Sequence, residues 1–138
     1  MRLTVILCDS ARVAEGKLYI LGGGWTHVVA DQPIEMSLGV VIAVPWGDAN
    51  RRHPLGIVLK DEDGHFVDAE TPDGQQPIRQ ESQFDIGRPP GIKAGSDLNA
   101  VLVFRFGALQ LAPGGYVWEL TVGEAIEKVP FWVVGGNA

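Results

Sequence analysis

Apolar residues recur at every second position through most of this chain, and that period of two constrains the fold more than any other feature. Met36, Leu38, Val40, Ile42 and Val44 form one set, and Ser37, Gly39, Val41 and Ala43 form the interleaved one. A strand places each set on its own face, whereas a helix would scatter both around its axis. The second set is small or apolar, so this segment predicts a central strand covered on both faces. The same alternation predicts strands at residues 3–8, at Leu55, Ile57 and Leu59, and at Leu98, Ala100, Leu102, Phe104 and Phe106. It recurs at Tyr116, Trp118, Leu120 and Val122, and at Val129, Phe131 and Val133. Weaker signals mark residues 17–21, continuing over 25–29, and two pieces near Ile78–Arg79 and 84–86.

Between these runs lie helix breakers, with 18 Gly and 9 Pro spread along the chain. Residues 9–16 read as a loop or one helical turn, and Pro45-Trp46-Gly47-Asp48 as a turn. Asp61-Glu62-Asp63-Gly64 reads as a hairpin connection into His65, Phe66 and Val67. Residues 69–97 are the least regular, and Arg88-Pro89-Pro90-Gly91 must be extended, because proline fixes φ and has no N–H. Eight or nine strands with two apolar faces have to fold over one another. The expectation is an all-β, two-layer antiparallel sandwich filling a single domain over residues 1–138, with a closed barrel as the alternative. The expected core is Leu38, Val40, Ile42, Leu55, Ile57, Leu59, Leu102, Phe104, Tyr116, Trp118, Leu120 and Phe131.

Charge and cysteine usage narrow the role. Eleven Lys and Arg against 17 Asp and Glu give a formal charge of −6. Arg51-Arg52 is the only adjacent basic pair. A duplex binder needs several cations on one face, so no nucleic acid partner is expected. Cys8 is the single cysteine, so no disulfide can form within the chain, and a reducing compartment fits. The apolar stretch from Leu3 to Cys8 is too short for a secretory signal, and no run approaches the length of a membrane helix. The expected location is the cytoplasm, with no membrane partner.

Two stretches carry resemblances. Leu111-Ala112-Pro113-Gly114-Gly115-Tyr116 is a Leu-x-Pro-Gly-x-Tyr run entering a strand. It resembles the tyrosine corner of immunoglobulin-like and fibronectin-type sandwiches, in which the Tyr hydroxyl bonds to backbone just upstream. The resemblance implies an immunoglobulin-like Greek key, preferred over C2-like and jelly-roll arrangements. Cys8-Asp9-Ser10-Ala11-Arg12-Val13 is followed by Gly16-Lys17-Leu18-Tyr19-Ile20-Leu21-Gly22-Gly23-Gly24-Trp25. With the closing Val129-Pro130-Phe131-Trp132-Val133 strand, this resembles a family of uncharacterised bacterial single-domain proteins of about this length. That resemblance implies one cytoplasmic domain and no particular site.

No cluster stands out as catalytic. Gly22 to Gly24 lack the spacing of a dinucleotide or phosphate loop, and read as a bulge or a crossing between sheets. Cys8 ends an apolar strand, where cysteine behaves as a small hydrophobe, and His27, His53 and His65 have no diagnostic spacing to it. Asp61, Glu62, Asp63 and Asp68, with Glu70 and Asp73 nearby, offer oxygen ligands for Ca²⁺ but fail the EF-hand pattern, and read as a solvated hairpin tip. Ser10 and Ser82 lie in no nucleophile elbow, and no spacing selects a carboxylate pair. No cofactor or metal is expected.

Four tryptophans remain. Trp118 falls on the core face, and Trp25 follows the glycines. Trp46 sits at a loop tip, and Trp132 points away from Phe131 on what reads as an edge strand. Trp46 and Trp132 are therefore the candidate partner contacts. The sequence points to a non-catalytic binding or assembly module acting through protein–protein contacts, with a protein partner or self-association into a homo-oligomer that buries Trp132. The alternative is a small-molecule or carbohydrate-binding domain using the loop tryptophans. An enzyme is the least favoured class.

Overall fold

A computed structural model describes residues 1–30 and 33–135. Among them are eleven strands: β1 (Arg2–Ala14), β2 (Lys17–Gly23), β3 (His27–Val29), β4 (Ile34–Val44), β5 (His53–Asp61), β6 (Asp68–Thr71), β7 (Gly74–Pro77), β8 (Arg79–Phe84), β9 (Leu98–Leu109), β10 (Gly114–Val122) and β11 (Ala125–Val134). One sheet has the order β2-β1-β4-β9, and a second has the order β3-β11-β10-β5-β8. β6 and β7 form a separate hairpin. All pairings are antiparallel except β3 with β11.

The two sheets face each other across one apolar core drawn from both. Alternation dictates it: Met36, Leu38, Val40 and Ile42 of β4 meet Trp118, Leu120 and Phe131 of the opposite layer, all essentially free of solvent. Trp118 ties the layers together. Its ring lies 4.3 Å from Phe106 of β9, centroid to centroid, and its Nε1–H donates to Met36 Sδ at 3.2 Å. The expected core residues are buried apart from Leu102, which is only half-buried. Among the described residues no strand pairs with β9 on its far side, so its middle is open to water at the edge.

The segment 9–16 departs from expectation. It is not a loop or a helical turn, because β1 runs on to Ala14. Its first half pairs with β4 and its second half with β2. β2 then folds over the outer face of β4. A Cβ placed on Gly39 would meet Leu18 Cδ2 and Ile20 Cδ1, each at 3.2 Å. β4 is thus covered on both faces, as its two apolar sets require.

The three glycines are a crossing. Gly22 has φ +63°, and the Asp9 carboxylate fills the place a Cβ would take. Gly24 has φ +84°, and the chain leaves the first sheet there to lay β3 against β11 in the second. Glycine tolerates both conformations, while a side chain would strain them. Two smaller differences follow. The one helical element among the described residues is a 3-10 turn at Trp46–Asp48, outside the 9–16 segment that read as a loop or one helical turn, and β8 ends at Phe84 without including Ile86.

Candidate functional site

The surface that stands out is the outer face of the five-stranded sheet. Phe131 and Val133 point into the core, so alternation turns Ile126, Lys128, Pro130, Trp132 and Val134 outward. Register sets their neighbours in rows. Trp132 faces Gly115, Pro130 faces Val117, which faces Lys60, and Lys128 faces Glu119, which faces Val58. β3 adds His27 beside Trp132 and Val29 beside Val134. β11 is therefore an edge only over residues 125–131.

Trp132 is 53% exposed, with Val134 at 39% and Val29 at 44% beside it. Its indole lies across β10 because position 115 has no side chain: a Cβ there would sit 3.1 Å from the ring edge. Glu62 brings a carboxylate oxygen to 3.0 Å from the same point. The result is an apolar strip, Val29–Val134–Trp132–Pro130, with one acid at its border. Across the sheet, Phe66 stands 58% exposed. Lys60 Nζ lies 5.6 Å from its ring centroid and 3.1 Å from Glu119 Oε2. A shallow depression of ≈ 200 Å³ opens there, between Gly56, Val58, Phe66, Arg79 and Thr121.

Trp46 is arranged differently. It is half-buried, and the Arg88 guanidinium lies over its ring at 4.7 Å. Arg88 also donates to the Trp46 carbonyl from Nε at 3.2 Å and Nη2 at 2.6 Å. That clamp pins Arg88 to the 3-10 turn, and the 88–91 segment is not extended throughout as expected, because the chain turns at Pro90-Gly91, where Gly91 has φ +88°. Trp25 packs edge-on to Phe131, with centroids 6.1 Å apart, and its buried Nε1–H has no hydrogen-bond partner among the described residues. Trp118 is core. The structure does not bring Trp46 and Trp132 into contact.

Cys8 Sγ is fully buried and donates to the Ser37 carbonyl at 3.4 Å. Burial pushes its thiol pKa up, with the Asp9 charge adding a smaller push, so the nucleophilic thiolate is disfavoured. The histidines lie apart from it: His27 on β3, His65 in the turn after β5, and His53 on β5 with Nε2 2.7 Å from the Asp48 carbonyl oxygen. In the acidic turn, Asp61 Oδ1 accepts the backbone N–H of Asp63 and of His65, both at 2.9 Å. Asp61, Asp63 and His65 have ligand atoms within 4.8 Å of one another, but Glu62 reaches toward Gly115, and Asp68 belongs to β6. The cluster is a hydrogen-bonded turn. At one end of the sandwich, Met1, Asp48, Arg52, His53 and Glu124 line an open cleft of ≈ 410 Å³, where Arg51 is paired with Asp48.

Sequence reasoning named Trp132 but missed Phe66, Ile126 and Val29 on the same face. Their signal was available only through register, which depends on partners distant in the chain. Gly115 was readable only as turn chemistry. No helix among the described residues is long and apolar enough to cross a membrane.

A family model described as a family of unknown function, DUF6941, matches residues 3–134. No curated protein matches the chain.

Proposed function

The chain belongs to DUF6941, a family of unknown function, so its role has to be argued from its surfaces, and we propose that it is a non-catalytic binding module that docks on protein through the Trp132 face of its five-stranded sheet. The observation that carries this reading is the half-exposed Trp132 within the strip of Val29, Val134 and Pro130. Large aromatics surrounded by smaller apolar groups are the usual anchors of protein contacts. The charges beside the strip, Lys128, Glu119, Lys60 and Glu62, supply the polar rim. Protein is preferred over sugar because the ring of Trp46 already carries Arg88. The same reading assigns the module to the cytoplasm, supported by its lone buried thiol.

The finer fold proposed is an immunoglobulin-like Greek key. β1-β4-β9 and β5-β10-β11 correspond in order to the A-B-E and C-F-G strands of that fold. Tyr116, early in β10, donates its hydroxyl to the Ala112 carbonyl at 2.6 Å, which is the tyrosine-corner bond. Two residues on, where immunoglobulin domains carry a cysteine, Trp118 instead bonds Met36 of β4.

The test is a photo-crosslinking residue at Lys128, in cells that make the protein. A discrete crosslinked protein is expected, lost when Trp132→Glu is added while the melting temperature holds. Absence of a crosslink, or one indifferent to Trp132→Glu, defeats the reading.

A further inference from the structure

We propose that β9 is a self-pairing edge: two copies of the chain join their β9 strands antiparallel, about a two-fold axis at Val101. This surface is separate from the Trp132 face and does not depend on it.

The argument begins with backbone. A strand at a sheet edge has a row of unpaired N–H and C=O groups, and such edges are normally shortened, charged, kinked or covered. The other edges here are protected in those ways. β3 is only three residues long, and β8 carries exposed Arg79 and Glu81. The open part of β11 contains Glu127, Lys128 and Pro130, and β2 ends in the Gly22 bend. β9 is twelve residues long, has no proline and carries one charge, Arg105. Among the described residues, no backbone hydrogen bond joins it to anything but β4. Its central Leu102 is half-buried although its inward-facing neighbours Ala100 and Phe104 are buried.

Charge selects both occupant and register. An axis at Val101 sets each residue opposite the one equally far on the other side. Exposed Asp97, just before β9, then meets Arg105 of the second copy, and the reverse pair forms by symmetry. Val101 meets its own copy, and Ala100 meets Leu102, which gains the cover it lacks. Arg105 is ready for this role, because its side chain is 76% exposed and its existing partner, Glu35 of β4 at 3.7 Å, is on the opposite side of it from the free edge. An axis at Arg105 would oppose two guanidinium groups, which is unfavourable for residues directly across a ladder. The two four-stranded sheets become one continuous sheet of eight strands.

The experiment is sedimentation equilibrium of the full chain over a wide concentration range, with circular dichroism of each variant. Wild type is expected to dimerise. Arg105→Asp turns both ion pairs into repulsions and should weaken the dimer about tenfold or more. Asp97→Arg combined with Arg105→Asp restores opposite charges and should restore the dimer. Val101→Lys, which sets two ammonium groups face to face at the axis, should give monomer with a native spectrum. A monomeric wild type, an Arg105→Asp dimer as tight as wild type, or a folded double variant that stays monomeric overturns the proposal. Trp132→Glu should leave this dimer intact. A dimer lost there would assign the contact to the other face and also overturn it.

Discussion

Replacing Tyr116 by Phe removes one oxygen and leaves the rest of the corner in place. The ring is buried and stacks on Phe131 at 5.6 Å between centroids, and phenylalanine keeps that packing. What disappears is the hydroxyl bond to the Ala112 carbonyl at 2.6 Å. A neutral hydrogen bond contributes about 0.5–1.5 kcal/mol net, and a stranded buried partner costs about 1–3 kcal/mol. Ala112 is exposed, so its carbonyl can turn to water and the lower range applies. The expected loss is therefore about 1 kcal/mol, read in urea as a lower midpoint at unchanged slope. The pH dependence is a second check. Burial, and then the charge of Asp61, raises the Tyr116 pKa above its ordinary value of about 10. The folded state thus holds the phenolic proton more tightly than the unfolded state does. Stability from this source is complete below pH of about 10 and is lost as pH rises through the folded pKa. The difference between wild type and Tyr116→Phe should narrow in that alkaline window. A change above about 3 kcal/mol, no measurable change, or a difference that widens with alkalinity would refute the account.

Two further outcomes follow from the core. Phe104→Ala should cost about 3–5 kcal/mol, and Leu102→Ala less than about 2 kcal/mol when both are measured at dilutions where the chain is monomeric, because the Leu102 site is then open to water; equal losses in the monomer would show that β9 is not an edge. Cys8 should react with a thiol reagent at least about a thousandfold more slowly in the native protein than in denaturant, since its raised pKa and full burial leave only unfolding to expose it, and rapid native labelling would contradict both.

The strands were legible because side-chain alternation is a local property, and a half-covered surface writes it into neighbouring residues. β4 shows this best: its small interleaved set announced a cover on the outer face, which Leu18 and Ile20 provide. Asp9, Ser10 and Arg12 hid the second half of β1. That part of the strand belongs to a hairpin whose faces are partly solvated, so polar residues interrupt the pattern. Leu102 looked like its neighbours because alternation reports the face a residue lies on and not whether the strand is central. The clamp of Arg88 on Trp46 joins residues 42 positions apart, and no short-range pattern encodes it. Trp132 was legible as outward-facing, but its neighbours Val29 and Phe66 reach that face only through pairings between distant segments.

The pairing of β3 with β11 sets a timetable for synthesis. His27 is made first, and its partner Trp132 is added more than a hundred residues later. The first sheet is no better placed, since β4 has to wait for β9. A nascent chain can close the β1–β2 hairpin, lay β1 on β4 and pair β5 with β8, but the opposite layer lacks Trp118, Leu120 and Phe131 until β10 and β11 arrive. Non-local pairings of this kind make folding slow and leave apolar surface open in the meantime. The growing polypeptide therefore keeps part of the Met36, Leu38, Val40 and Ile42 face open until those last strands are made, and the sandwich closes late.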